Sequence, residues 1–177
     1  YCFNACDTLD ISGGVFVSGG YIISGGIVTV TGGVFSGNPY TFYGPTVATI
    51  SGGSFSGNGN VVVSGVNTSI SGGAFRGNNV VCGSVGTTIS GGSFVGNASV
   101  VNASAACVII GGTFSGNAQV LNSSSAAVAN ASMSANTQDA YRSVYRAVNT
   151  LFGSATENNG FKDFQKEAYS ESIDHDQ

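Results

Sequence analysis

The chain predicts an all-β fold, a single-stranded parallel β-helix (β-solenoid) of about seven coils, followed by one amphipathic α-helix and an acidic tail. Three observations carry the prediction. A Gly-Gly-x-Phe phrase recurs from residues 13, 32, 52, 72, 91 and 111, so that Phe16, Phe35, Phe55, Phe75, Phe94 and Phe114 lie 19, 20, 20, 19 and 20 residues apart. Stacked repeats keep such a period and independent elements of a globular domain do not. Short β-branched runs alternate with Gly, Asn and Ser, the chemistry of strands and turns, and nothing before residue 134 has helical period. Among five basic and nine acidic side chains, only Arg76 falls between residues 11 and 138. The periodic apolar columns nonetheless supply the core that a low-charge, low-complexity segment would lack.

Taken in order, residues 1–10 form a short N-terminal segment, aromatic but too small to seal a solenoid end. Residues 11–133 are the repeat domain. One apolar column precedes the glycines (Ile11, Val30, Ile50, Ile70, Ile89, Ile109), and a second follows at Val61, Val81, Val100 and Val120. An asparagine follows each phenylalanine by three residues at Asn38, Asn58, Asn78, Asn97 and Asn117. Stepping on by 19 places Val128 under Ile109 and Met133 under Phe114, a degenerate seventh coil. A coil of about 20 residues holds two or three short strands and stacks on the next at roughly 4.8 Å. No coil buries its own apolar residues, so the Phe and Ile columns become a core only by stacking. Glycine pairs suit corners that need positive φ or close backbone approach. Repeated asparagines at a corner can occupy the left-handed region and ladder their amides with those above and below.

From Ser134 to residue 153 the pattern becomes helical. Tyr141, Val144, Tyr145, Val148, Leu151 and Phe152 share one face, Ser134 or Asn136 caps the start, and Gly153 suits the C-terminal stop. That stripe needs a partner, which makes these six side chains candidates for capping the rod or contacting another subunit. Residues 154–177 form the acidic tail, six acids against Lys162 and Lys166, which reads either as a disordered, solubilising segment or, through Phe161, Phe164 and Tyr169, as an arm laid on another subunit.

Composition excludes several functions. A net charge of −4 without a basic cluster argues against nucleic acid and anionic membranes. No apolar run reaches membrane-spanning length, so no insertion is expected. Polysaccharide-cleaving β-helices need carboxylates in a groove, and none lies between residues 11 and 138. No catalytic residue is therefore assigned, and Arg76 reads as a solvated or interface residue. His175 is the only histidine and no Cys-x-x-Cys occurs, so neither metal nor cofactor is expected. Cys2 with Cys6 is the candidate disulfide, with a bond from one of them to another subunit as the alternative, while Cys82 and Cys107, in different columns, read as small buried apolar residues. Glycosylation sequons stand at Asn67, Asn97, Asn102, Asn122 and Asn130. Asn97 belongs to the corner column, which leaves Asn67, Asn102, Asn122 and Asn130 as candidate acceptors. A chain that starts at Tyr1 fits a processed mature protein or a fragment.

Two surfaces could carry function. Flanking the inward Ile column are Asp10/Ser12, Thr29/Thr31, Thr49/Ser51, Ser69/Ser71 and Thr88/Ser90, two outward hydroxyl columns that fail at Val108 and Ile110. Their Thr-x-Thr arrangement resembles that of ice-binding solenoids. The other surface is the pair of coil ends, unpaired strand edges that template another chain unless capped. A head-to-tail contact that does not close gives a filament.

The fused phrase GGxFxGN, as in Gly32–Asn38, Gly52–Asn58 and Gly111–Asn117, resembles the GGA[ILV] and FxxN repeats of the chlamydial polymorphic membrane proteins over residues 11–133. The resemblance implies a right-handed parallel β-helix displayed outside a cell for adhesion, with no catalytic residues. The C-terminal segment has no counterpart in that motif. Together these readings predict an extracellular or cell-surface structural protein whose principal partner is itself, in a head-to-tail homopolymer, with glycans as further partners. An ice-binding solenoid and a non-polymerising adhesin module are the alternatives.

Overall fold

The computed structural model describes residues 3–4, 7–63, 65–102, 105–123 and 125–141. It is an all-β parallel β-solenoid of about six turns, with no helix among the described residues. Three parallel sheets wind around one interior, and each coil contributes one strand to each sheet. The Ile sheet has seven strands: Thr8–Ile11, Ile27–Val30, Val47–Ile50, Asn67–Ile70, Gly86–Ile89, Ala106–Ile109 and Ser125–Val128. The Phe sheet also has seven, Val15–Val17, Val34–Ser36, Ser54–Ser56, Ala74–Arg76, Ser93–Val95, Thr113–Ser115 and Ser132–Ser134. The third, the Val sheet, has eight, from Phe3–Asn4 through Tyr21–Ser24, Tyr40–Tyr43, Asn60–Val63, Val80–Gly83, Ser99–Asn102 and Gln119–Asn122 to Gln138–Tyr141.

The pairing register matches the columns read from the sequence. Phe16 pairs with Phe35 and so on through Phe114 to Met133, and Ile11 with Val30 through Ile109 to Val128. Phe35, Phe55, Phe75, Phe94 and Phe114 are fully buried, as are Ile50, Ile70, Ile89 and Ile109. Successive Phe rings lie 4.7–4.9 Å apart and within 4–5° of parallel. The strand spacing dictates that distance. Each offset pair adds about 0.5–1.5 kcal/mol beyond burial. Phe42, from the Val sheet, meets Phe35 and Phe55 edge-on at 5.5 and 6.1 Å.

Each glycine of a pair has its own reason. The second takes the left-handed corner, with φ of 94–103° at Gly14, Gly33, Gly53, Gly73, Gly92 and Gly112. The first has no such φ. A Cβ on Gly32, Gly52, Gly72, Gly91 or Gly111 would lie well under 3.0 Å from a carbonyl oxygen of the preceding coil.

The C-terminal boundary differs from expectation. Strand pairing runs on through Ser132–Ser134 and Gln138–Tyr141, so the expected helix does not begin at Ser134. The reason is column chemistry: Met133 continues the Phe stack and Asn136 accepts hydrogen bonds from Asn117, which a helical turn there would forgo. Tyr141 is therefore a strand residue opposite Asn122. Val144, Tyr145, Val148, Leu151, Phe152 and the acidic tail lie outside the described residues.

Candidate functional site

The most organised polar feature is internal. Asn38, Asn58, Asn78, Asn97 and Asn117 are at most 2 % exposed and form one continuous amide ladder. Asn58 illustrates the unit. Its Oδ1 accepts from the backbone N–H of Asn38 at 3.0 Å and from Asn38 Nδ2 at 3.1 Å. Its Nδ2 donates to Phe35 O at 3.0 Å and to Asn78 Oδ1 at 2.9 Å. Two donors and two acceptor sites are all an amide has, and all are used. The same bonds repeat to Asn136, whose Nδ2 donates to Phe114 O at 3.1 Å. Sequence reasoning missed Asn136 as a rung, although it lies 19 residues after Asn117, because helical spacing claimed it first. At the other end Gly19 stands in the column, and its N–H donates to Asn38 Oδ1 at 2.9 Å. The ladder satisfies buried corner backbone, so its role is structural.

The hydroxyl columns lie where the sequence places them. Asp10, Thr29, Thr49, Ser69 and Thr88 are in register on the outer face of the Ile sheet, ending at Val108. Ser69 and Thr88 are exposed, Thr29 and Thr49 half-buried, and Ser12, Thr31, Ser51, Ser71 and Ser90 exposed beside them. Val108 and Ile110 convert the last part of this face to exposed apolar surface. Arg76 is also exposed, on the outer face of the Phe sheet between Ser56 and Val95.

Of the sequons, Asn97 has its Nδ2 buried and donating to Phe75 O and Asn117 Oδ1, closing it to modification in the fold. Asn67, Asn102 and Asn130 are exposed and Asn122 half-buried. Asn102 and Asn122 are strand partners, with Asn122 Nδ2 donating to Asn102 Oδ1 at 3.1 Å.

Cys82 and Cys107 are buried free thiols. Burial raises both pKa values, that of Cys107 from the ordinary 9.0 up to about 12, and the neighbouring Cys107 pushes Cys82 further in the same direction. Thiols held neutral are poor nucleophiles. Around them lies a group of inward hydroxyls. Thr68 Oγ1 and Ser84 Oγ share a hydrogen bond of 2.6 Å, while Thr87 Oγ1 has no partner. Cys2 and Cys6 lie outside the described residues. Among the described residues no three His, Cys, Asp or Glu side chains converge.

The remaining surface feature is a tyrosine cluster near the N-terminal end of the Val sheet. Tyr21 and Tyr40 stack at 4.9 Å, and Tyr43 meets them edge-on at 5.3 and 5.9 Å. The two rod ends share a different property: their apolar columns are less covered than inside. Leu9, Phe16 and Met133 are only half-buried, whereas Val28, Phe35 and Phe114, their counterparts one coil inward, are fully buried. No family model, no curated protein and no solved structure matches this chain.

Proposed function

We propose that the chain is a structural rod, a subunit of an extracellular or cell-surface filament that assembles head to tail through its coil ends. The observation that carries this reading is that columns built for stacking run through all the described coils and are less covered in the first and last of them. Apolar area buried at a joint contributes roughly 25 cal/mol per Å². The sides of the rod are almost uncharged, which favours building over catalysis. Negative-stain microscopy and light scattering across a concentration series test it. Rods longer than one subunit support the proposal, and monomers at the highest concentration reached refute it.

Ice binding is a second reading, favoured by the in-register, outward hydroxyls of the Ile sheet. Thermal hysteresis is its test, and none at high concentration removes it. A non-polymerising adhesin module that binds glycans is the reading to which a strictly monomeric protein without hysteresis would point.

A further inference from the structure

Two separate demands of the fold set Asn58 and Gly59 side by side. The ladder requires an asparagine at residue 58, where the carboxamide makes four hydrogen bonds and the residue is 2 % exposed. Close packing requires glycine at residue 59, because a Cβ there would lie 2.5 Å from Pro39 O and 3.3 Å from Pro39 Cα. Its φ is not positive, so space and not conformation makes the demand. The other ladder asparagines are followed by Pro39, Asn79, Ala98, Ala118 and Thr137, and Asn58 alone by a glycine. Such a pair is chemically weak. No side chain shields the glycine nitrogen, so it reaches the preceding carboxamide carbon more readily than the nitrogen of any other residue does.

We propose that Asn58–Gly59 is a site of spontaneous deamidation that the folded ladder keeps closed, that unfolding opens, and that then bars the way back. In the open chain Gly59 N bonds to Asn58 Cγ and gives its proton to a solvent base, while the Cγ–Nδ2 bond breaks and Nδ2 leaves as ammonia, protonated by solvent. Water opens the resulting succinimide at either carbonyl. The products are aspartate and isoaspartate, the latter with its main chain running through Cβ and Cγ, and nothing is oxidised or reduced. In the rod both reacting groups are committed elsewhere. The Gly59 N–H donates to Asn38 O at 2.8 Å, and Asn58 Nδ2, the leaving group, donates to Phe35 O and Asn78 Oδ1. The donors on Asn58 Oδ1, from Asn38 N and Nδ2, would favour an oxyanion there. The ring nonetheless closes only when Gly59 N leaves Asn38 O and the carboxamide turns back on its own main chain, which breaks the rung. Reaction therefore follows opening. Either product lacks the two Nδ2 donors, and isoaspartate lengthens the main chain by a methylene between strands whose register is fixed at Phe55 and Asn60. A converted chain does not rebuild the rung, so a rod left open long enough loses the means to close.

The test incubates the full chain, folded and unfolded in guanidinium chloride, in the same mildly alkaline buffer, and follows amide-to-acid conversion by mass spectrometry of a peptide map. Marginally stable proteins populate the unfolded state at about 10⁻³ or less, so conversion at Asn58 is expected to be about a thousandfold slower in the folded protein. In the unfolded arm Asn58 should convert together with Asn159, which precedes Gly160, and well ahead of Asn97, which precedes Ala98. On removal of denaturant, the refolded fraction should be depleted of chains converted at Asn58. Folded protein that converts at Asn58 within about tenfold of the unfolded rate would overturn the protection. An unfolded arm in which Asn159 converts and Asn58 does not, or in which Asn97 keeps pace with Asn58, would remove the site. Chains converted at Asn58 that refold with an unchanged melting curve would refute the one-way step.

Discussion

Replacing Asn78 by alanine removes four hydrogen bonds from the middle of the rod. Asn78 Oδ1 accepts from Asn58 N at 3.0 Å and Asn58 Nδ2 at 2.9 Å, and its Nδ2 donates to Phe55 O and Asn97 Oδ1, each at 3.0 Å. The backbone N–H of Asn78 keeps its bond to Asn97 Oδ1, so that acceptor stays occupied. What the truncation strands is two donors on Asn58, a residue 2 % exposed. A buried donor left without an acceptor costs about 1–3 kcal/mol, so the loss is about 2–6 kcal/mol. Asn79→Ala is the control, because Asn79 is exposed and its bonds, N–H to Asn58 O and O from Ser99 N–H, are backbone bonds that the substitution leaves in place. It is expected to cost less than about 0.5 kcal/mol. Urea unfolding of the two variants measures the difference, and native-state hydrogen exchange at the Asn58 amide localises it. Equal midpoints for Asn78→Ala and Asn79→Ala, or undiminished protection at Asn58, would refute the account of the ladder. Asn78→Asp sharpens it further. A carboxyl keeps the acceptor but loses the donor, and burial raises its pKa. The variant is therefore expected to be least stable at neutral pH and to regain stability as pH falls toward about 4.

Three more outcomes follow from the same geometry. Gly72→Ala drives a Cβ against Ser51 O and is expected to cost about 1–3 kcal/mol in a thermal or urea melt, whereas Gly13→Ala should cost almost nothing. Thr87→Val removes a buried hydroxyl that has no partner while keeping its shape, so the urea midpoint should rise by the equivalent of about 1 kcal/mol; a fall would mean that the hydroxyl is satisfied. The thiols of Cys82 and Cys107 should resist alkylation until the protein unfolds. Because burial raises their pKa in the folded state, their contribution is fully present below the ordinary 9.0 and is lost as pH rises toward about 12. A Cys82→Ala, Cys107→Ala double variant should show a shallower alkaline decline, and an identical decline would assign it to other groups.

Much of the fold was legible because a solenoid writes its cross-section into its period. Phe16 to Phe114 and Asn38 to Asn117 name two columns without any knowledge of the corners between them. Met133 and Val128 could be placed by counting alone. The end of the array was harder to read. Asn136 fits a helix cap and a ladder rung equally well, and only the buried donors on Asn117 decide between them. The Val sheet was also obscure. A flat strand sends alternate residues inward, but here Val61 and Val62, Val81 and Cys82, Val100 and Val101, and Val120 and Leu121 are all buried, consecutive pairs that alternation does not anticipate. Among the inward hydroxyls, Thr68 and Thr87 share the column of Cys107, two residues before Ile70 and Ile89, so strand alternation faces them inward; Ser84 lies between strands and has no periodic signal.

The asparagine ladder has an electrical consequence beyond the hydrogen bonds it closes. From Asn38 to Asn136 every Oδ1 faces the coil before it and every Nδ2–H···Oδ1 bond points to the coil after it. Strand dipoles in a sheet largely cancel, but side-chain dipoles aligned in a single file add, as peptide dipoles do along a helix. The ladder therefore contributes an axial dipole, negative toward the first coil and positive toward the last, while most corner backbone bonds, such as Thr31 N to Ile11 O and Ser51 N to Val30 O, point the other way. The single file of amides thus offsets the polarity of the backbone corners around it, coil after coil.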